Sequence, residues 1–129
     1  MGIVAEFARY KAKLANQFWA VSALTDTELV ASLWEHRIKV VGSQWVYVDH
    51  LSRWTGNGNK LMGQHLATAV AEERPVRIVK ATTDNIPLIE GGGDGTKAKN
   101  SCKARPEWVG KVTAFDGDNF TIVFDKVSP

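Results

Sequence analysis

The feature that most constrains the fold lies near the C-terminus, where two segments of alternating apolar residues flank a short turn. Segments 108–115 and 120–124 surround the residues Asp116-Gly117-Asp118-Asn119. Asp-Gly favours the tight turns that join antiparallel strands, because glycine accepts the positive φ that such turns require. The pattern predicts a β-hairpin, and therefore a chain that contains an antiparallel sheet.

Apolar residues at steps of three and four predict helices in the first half of the chain. The first spans 3–21, where Ile3 and Val21 end the apolar stripe. The second spans 25–37, and it begins with the Thr-x-x-Glu spacing of a capping box. A central helix over 59–74 follows, and Pro75 ends it.

Strand patterns occupy most of the remainder and complete the predicted fold. A hairpin is expected over 38–48 and a half-buried strand over 76–81, whereas 83–107 reads as an irregular basic loop. The sum is one α+β domain over 1–129: two N-terminal helices, one central helix and a small twisted mixed or antiparallel sheet or barrel. The residues predicted to face the core are Trp34, Trp45, Leu66, Val70, Ile78, Val112, Phe115 and Ile122.

Composition excludes several classes of protein. The 129 residues include 16 Lys and Arg against 14 Asp and Glu, so a histone-like polycation is excluded. No apolar run approaches the roughly 20 residues of a membrane span, and the first residues lack a secretory signal. Cys102 is the single cysteine, which excludes an internal disulfide framework and a multi-cysteine zinc site. We therefore predict a cytoplasmic protein with no membrane partner.

A cluster of aromatic and polar residues follows the predicted 38–48 hairpin. It contains Tyr47, Asp49, His50, Arg53 and Trp54. Aromatic side chains with a carboxylate and an imidazole can form a polar pocket with stacking walls. Equally, the two aromatic residues can belong to the core while Asp49 caps a turn.

The next segment, 55–60, is a glycine-rich turn that leads into the central helix. Its sequence is Thr55-Gly56-Asn57-Gly58-Asn59-Lys60. Glycines allow a ligand to approach the backbone closely, and the amides at a helix start attract anions. The spacing matches neither a Walker loop nor the dinucleotide fingerprint, so a tight connection capped by Asn59 is the alternative.

Basic residues are concentrated in the predicted loop. Lys97, Lys99, Lys103 and Arg105 lie there, and such a loop can follow phosphates or can simply be solvated. The histidines at 36, 50 and 65 are too scattered for a recognisable metal set, and no catalytic motif stands out. The sequence therefore predicts neither a metal nor a cofactor.

The middle of the chain resembles an SRA domain, also called a YDG domain, a family that binds modified cytosine in DNA by flipping the base out. The family's Gly-Tyr-x-Asp-Asp segment is reduced here to 47–49, and its His-Arg-Pro and Tyr-Asp-Gly segments are absent. The resembling pieces are 54–60 (WTGNGNK), 66–69 (LATA) and 75–79 (PVRIV), followed by 109–112 (VGKV) and 122–124 (IVF).

The resemblance implies a PUA- or SRA-like fold, DNA as a partner and a role for each candidate residue. Since no bond is broken, the protein would be a reader of nucleic acid rather than an enzyme. Tyr47 and Trp54 would stack on the base, Asp49 would accept a hydrogen bond from its exocyclic amine, and Thr55 would lie beside it. Phosphates would be held by Arg53, Gly56, Gly58, Lys60, Lys97, Lys99, Lys103 and Arg105.

Two other classes of function remain open from the sequence. A small enzyme or ligand-binding protein would use His50 as a general base oriented by Asp49. A dimeric accessory protein would place Trp19 and Trp34 of the N-terminal helices in its interface. In that case the aromatic residues would bury a two-fold contact of upwards of about 1,000 Å².

Overall fold

The chain folds around one eight-stranded mixed sheet, as a computed structural model shows for residues 3–16, 20–93 and 98–126. Three α-helices accompany the sheet in these residues. The elements are α1 (Ile3–Ala8), β1 (Ser22–Leu24), β2 (Leu29–Trp34), β3 (Ile38–Val41), β4 (Gln44–His50), α2 (Asn57–Ala71), β5 (Val76–Thr83), α3 (Ile86–Glu90), β6 (Asn100–Ala104), β7 (Trp108–Phe115) and β8 (Asn119–Lys126).

The strand order confirms the predicted α+β class and decides between an open sheet and a barrel. The order is β1-β2-β5-β7-β8-β4-β3, with β6 paired to β5. Strands β2 and β5 run parallel, and the other pairs are antiparallel. Because β1 and β3 stand at opposite ends of this order, the sheet is open rather than a closed barrel.

Both predicted hairpins are confirmed. The turn between β7 and β8 is held by the Asp116 carboxylate, whose Oδ1 accepts from the backbone N–H groups of Asp118 at 2.9 Å and Asn119 at 2.7 Å. Gly117 has a φ of +100°, the conformation that the Asp-Gly pair predicts. The central helix is also confirmed, although its N-cap is Gly56 rather than Asn59.

The predicted second helix, 25–37, is wrong, because its apolar residues form the strand β2. Leu29, Val30 and Ala31 are all fully buried, so both faces of this strand are covered. A strand buried on both faces has a nearly continuous apolar run, which resembles a buried helix at this length. The Thr25 hydroxyl does accept from the Glu28 backbone N–H, at 3.0 Å, but it closes a turn before β2.

The first predicted helix, 3–21, is much shorter in the structure. It ends at Ala8, and Lys11 has a positive φ of 60° that breaks the helical path. Tyr10 then donates its hydroxyl hydrogen to the Ile78 carbonyl at 2.7 Å, which fixes the chain against β5. The apolar stripe therefore reflects packing onto the sheet, and residues 17–19 lie outside the described residues.

The predicted irregular segment 83–107 contains regular structure at both ends of its described part. It includes α3, and β6 pairs antiparallel with β5 over 79–83. The sequence does not predict β6, because the residues of this strand are mostly exposed and do not alternate in hydrophobicity. Residues 94–97 lie outside the described residues.

The main core lies between α2 and the sheet, and it contains part of the predicted core set. Leu66, Ile78, Val112 and Ile122 are buried, which confirms them. Trp34, Trp45 and Phe115 are only half-buried and pack against this core. Val70 is wrong, since 45% of its surface is exposed. A second, smaller cluster packs α1 against the opposite side of β5. No described helix has the length and apolar character needed to cross a membrane.

Candidate functional site

A cavity of about 440 Å³ lies where the C-terminal end of β2 meets the N-terminal end of α2. This volume is in the range of small-molecule and cofactor sites. Its walls are largely apolar or aromatic, with backbone of the 55–59 turn along one side. Lining residues include Ser32, Leu33, Trp34, Tyr47, Trp54, Met62, Ala81, Ile89, Gly92, Asn100, Cys102 and Phe120.

The structure brings together part of the predicted site. The predicted residues that line the cavity are Tyr47, Arg53, Trp54, Thr55, Gly56 and Gly58. The predicted residues that do not line it are Asp49, Lys60, Lys99, Lys103 and Arg105, and Lys97 lies outside the described residues.

The turn before α2 is shaped by Gly56 and Asn59. Gly56 has a φ of +115°, which a residue with a side chain rarely adopts, so glycine is required at this N-cap. The Asn59 side-chain amide donates to the carbonyls of Leu51 and Trp54. Asn59 therefore fixes the backbone on which Trp54 is presented.

Trp54 is half-buried and forms a flat part of the cavity wall. The Arg53 guanidinium lies over its ring, with Cζ 4.6 Å from the ring centroid. Such a cation–π contact restrains the indole on one face. Trp54 and Arg53 both line the cavity, so the restrained indole offers an aromatic surface for a planar ligand there.

Asp49 lies at the centre of a buried ionic network instead of facing the cavity. Only 1% of the residue is exposed. Arg53 donates to its two oxygens from Nε and Nη2, both at 2.8 Å, and the Tyr47 hydroxyl donates to Oδ2 at 2.6 Å. Arg37 Nη1 is 3.3 Å from Oδ1, which also accepts from the His50 backbone N–H at 2.8 Å. Both oxygens of the Asp49 carboxylate therefore already accept hydrogen bonds from groups of the protein.

The network also sets the protonation of its members. Burial opposes ionisation of Asp49, but hydrogen bonds from Arg53 and Tyr47 outweigh it and hold the pKa of Asp49 below its usual value. Burial and the adjacent Asp49 charge raise the pKa of Tyr47 well above 10. The pair therefore consists of a carboxylate and a protonated phenol, and Arg53 has a neutralising partner at neutral pH.

The arrangement proposed for an enzyme is not the one found. The His50 backbone N–H donates to the Asp49 carboxylate. The His50 imidazole makes no hydrogen bond to a carboxylate of the described residues. His50 is also not among the described residues that line the cavity. A general base oriented by Asp49 would need the imidazole itself to meet that carboxylate.

The predicted phosphate-binding residues are distributed unevenly around the cavity. Lys60 is exposed in the first turn of α2, and Lys99 is exposed beside Asn100, which lines the cavity. Lys103 lies on the opposite face of β6 from Cys102, because neighbouring residues of a strand point to opposite faces. Arg105, half-buried, lies beyond the end of β6.

Sequence reasoning missed Ser32 at this site and gave Asn57 no role of its own within the 55–60 turn. Ser32 and Asn57 line the cavity with side chains that make no hydrogen bond to any described residue, as does Thr55. Ser32 is in the segment predicted as a helix, so nothing in the sequence indicates that its side chain reaches a cavity. Trp34 also lines the cavity rather than a helical dimer face, and Trp19 lies outside the described residues.

Comparison with known proteins gives no relative. No protein-family model, curated protein or solved structure matches the chain. Within the described part of the chain, no group of three or more His, Cys, Asp or Glu side chains is placed to hold a metal ion. The cavity and the residues around it are therefore the features that bear on function.

A second ionic cluster, which the sequence did not predict, joins the end of α3 to the residues that follow β2. Glu90 accepts from Arg37 Nε at 2.8 Å and Nη2 at 2.6 Å, and its Oε2 is 2.7 Å from His36 Nε2. The hydrogen bond from Arg37, with a further one from His36, lowers the pKa of Glu90 to about 2. Arg37 and Glu90 are 53 positions apart in sequence, so no local pattern predicts that they form an ion pair.

We predict that the stabilisation from this cluster is lost in acid. Because the pKa of Glu90 falls from 4.5 to about 2 on folding, its contribution is complete above about pH 4.5 and disappears as pH falls toward 2. Glu90→Gln should lower the free energy of unfolding by about 0.5–1 kcal/mol at pH 7. Urea unfolding at pH 7, 4 and 2.5 should show that the free energies of unfolding of the unsubstituted protein and of Glu90→Gln converge as the pH falls. A difference that stays constant over this range would contradict the assignment.

Proposed function

We propose that the protein binds nucleic acid by taking one unpaired base into the 440 Å³ cavity. The observation that carries this proposal is that Trp54, Tyr47 and the 55–59 turn all line one cavity. Proteins that read a base outside the helical stack need flat walls and nearby hydrogen-bonding groups. The SRA resemblance points to the same use of these residues.

Stacking would come mainly from Trp54. Its indole is held from one face by Arg53 at 4.6 Å, so the ring is already placed before a ligand arrives. Tyr47 is buried and tilted against Phe120, with ring centroids 6.0 Å apart, so it supports the floor of the cavity. Base–aromatic stacking is worth about 1–3 kcal/mol for each base.

Recognition of the base edge would fall to groups other than Asp49. Ser32, Thr55 and Asn57 line the cavity, and their side chains make no hydrogen bond to a described residue. A hydroxyl can donate or accept and an amide offers both, so these groups can match the mixed edge of a base. A modified cytosine is the ligand that the family resemblance suggests.

Backbone contacts would come from the rim of the cavity. Lys60 and Lys99 are exposed near it and form no ion pair with a described carboxylate. Each lysine that neutralises a phosphate releases roughly one counterion and makes binding depend on salt. Arg53 is not a phosphate contact in this proposal, because Asp49 already pairs with it at 2.8 Å.

The direct test is binding to labelled oligonucleotides at two salt concentrations. The set contains a single strand, its duplex, and the same duplex with cytosine, 5-methylcytosine or 5-hydroxymethylcytosine at one position. We expect salt-dependent binding, tighter where a base is unpaired or modified. If no oligonucleotide binds at either salt concentration, nucleic-acid recognition is excluded.

We predict that Trp54→Ala weakens oligonucleotide binding tenfold or more while the fold is retained. The removed indole is the stacking surface, and the loss corresponds to about 1–3 kcal/mol. The matched control is Trp45→Ala, since Trp45 is a half-buried indole stacked on Trp108 at 4.5 Å, outside the cavity lining. Fluorescence anisotropy measures affinity, and circular dichroism checks the fold. Equal affinity losses in the two variants would contradict the role of Trp54.

The apolar character of the lining favours a second candidate, a free aromatic small molecule. Leu33, Met62, Ala81, Ile89 and Phe120 all line the cavity, whereas no described lysine does. A nucleoside or similar ring would then bind without any phosphate contact. Binding of cytidine or 5-methylcytidine that is insensitive to salt, with no affinity for oligonucleotides, would identify this function.

A further inference from the structure

One wall of the cavity is a short segment with little core packing of its own. This 86–93 wall contains α3 and the turn after it, and it contributes Ile89, Gly92 and Gly93 to the lining. Ile89 is 3% exposed, whereas Ile86 is 44% exposed. A segment with so few buried apolar contacts opens more easily than the sheet. Its position must therefore depend on its polar contacts.

Those contacts come from two arginines on the neighbouring part of the fold. Arg53 Nη1 donates to the Ile89 carbonyl at 3.0 Å, and Arg37 binds both carboxylate oxygens of Glu90. Gly92 has a φ of +75°, and a Cβ there would lie 2.3 Å from the Arg53 carbonyl oxygen. The wall is thus seated directly on the backbone that precedes Trp54.

Both arginines are oriented by the same buried carboxylate. Asp49 binds Arg53 through two hydrogen bonds at 2.8 Å and lies 3.3 Å from Arg37. Arg37 also donates to the Val48 carbonyl at 3.1 Å, so its guanidinium is held from two directions. A bidentate arginine–carboxylate pair defines geometry more strictly than a single hydrogen bond.

We infer that Glu90, Arg37 and Asp49 are positioning residues that set the 86–93 wall and thereby the residence time of the ligand. Asp49 fixes the two guanidinium groups, and these hold Ile89 and Glu90 in place. The ligand part of this inference rests on the proposed function, whereas the placement of the wall does not. Glu90 is the residue whose removal loosens the wall with the least damage elsewhere, since 36% of its side chain is exposed.

The experiment compares Glu90→Gln with Glu72→Gln in the full chain. Glu72 is the matched control, because it pairs with Arg74 at 2.8 Å, and neither residue lines the cavity. Hydrogen exchange is measured for the amides of 88–92 and for those of β7 and β8. Dissociation of a single-stranded oligonucleotide is measured by stopped flow.

We expect Glu90→Gln to raise exchange at 88–92 and the oligonucleotide dissociation rate about fivefold to tenfold, with a clearly smaller rise of exchange in β7 and β8, where it follows only the loss of global stability. Glu72→Gln should change neither. Glu90 and Arg37 act as one unit. The double variant Arg37→Gln/Glu90→Gln should therefore exchange at 88–92 little faster than the faster of the two single variants. Additive effects, or uniformly faster exchange, would show general destabilisation and overturn the inference.

The remaining outcomes separate this inference from the proposed function. Unchanged exchange at 88–92 in Glu90→Gln overturns the role of Glu90, whatever the oligonucleotide does. Faster exchange with an unchanged dissociation rate overturns the link between the wall and the ligand. Faster local exchange in a protein that binds no oligonucleotide supports the placement of the wall and rejects the proposed function.

Discussion

Asp49→Ala should lower the free energy of unfolding by about 3–5 kcal/mol at neutral pH, because it breaks a buried ion pair from one side. Arg53 would keep its charge with 6% of its side chain exposed and no carboxylate beside it. The Tyr47 hydroxyl, in a residue that is 2% exposed, would lose its acceptor. Urea unfolding followed by tryptophan fluorescence measures the change.

The control for Asp49→Ala is Asp125→Ala. Asp125 is exposed and accepts one hydrogen bond, from Gln44 at 3.0 Å, so its loss should cost about 0.5 kcal/mol or less. The triple change Tyr47→Phe, Asp49→Ala and Arg53→Met should lose less stability than Asp49→Ala alone, because it leaves fewer buried polar groups without partners.

The outcome of Asp49→Ala also separates the two roles considered for this residue. A base-reading carboxylate would alter the preference among bases and leave stability almost unchanged. A loss of stability below about 1 kcal/mol, together with altered base preference, would favour that role and contradict the buried network as the function of Asp49.

Leu66→Ala should lower the free energy of unfolding by about 2–5 kcal/mol. Leu66 is fully buried on α2 and belongs to the core cluster that contains Ile78, Ile122 and Phe124. The change removes the buried side chain and leaves a cavity that strands of a hydrogen-bonded sheet cannot readily fill. The same urea unfolding measurement reports the loss.

The matched control is Val70→Ala on the same helix. Val70 is 45% exposed, so its truncation removes little buried surface and should change stability by about 0.5 kcal/mol or less. If Leu66→Ala and Val70→Ala have similar effects, the assignment of the buried face of α2 is wrong.

Helix faces show why local patterns predicted only part of the core. Met62, Leu66 and Ala69 repeat at steps of four and three, and all are buried on α2. Val70 is adjacent to this stripe and is also apolar, but it lies about 100° around the helix from Ala69. Periodicity identified this helix, whereas the edge of its buried face depends on what packs against it.

The error at β2 has a different cause. The run at 29–34 is almost wholly apolar, because α2 covers one face of β2 and N-terminal residues, among them Phe7, cover the other. That burial depends on β2 pairing in parallel with β5, whose first residue is 47 positions after Leu29. A short apolar run has the same local signal in a buried helix and in a central strand.

The sequence alone determined the two hairpins, the central helix, the α+β class and part of the cavity wall. These features follow from short-range chemistry: the Asp116–Asn119 turn, the glycines at 56 and 58, and the steps between apolar residues. Trp54 and Thr55 reach the cavity for the same reason, since they adjoin the glycine turn that starts α2.

Tertiary structure alone decided which polar residues face the cavity and which are paired with other buried groups of the protein. The SRA resemblance makes Asp49 a candidate base reader, but Arg53, Tyr47 and Arg37 surround it in space. Ser32 reached the cavity only because β2 pairs with β5. A buried carboxylate must be neutralised by whichever cations the fold brings near, and that choice is made by long-range contacts that no local pattern contains.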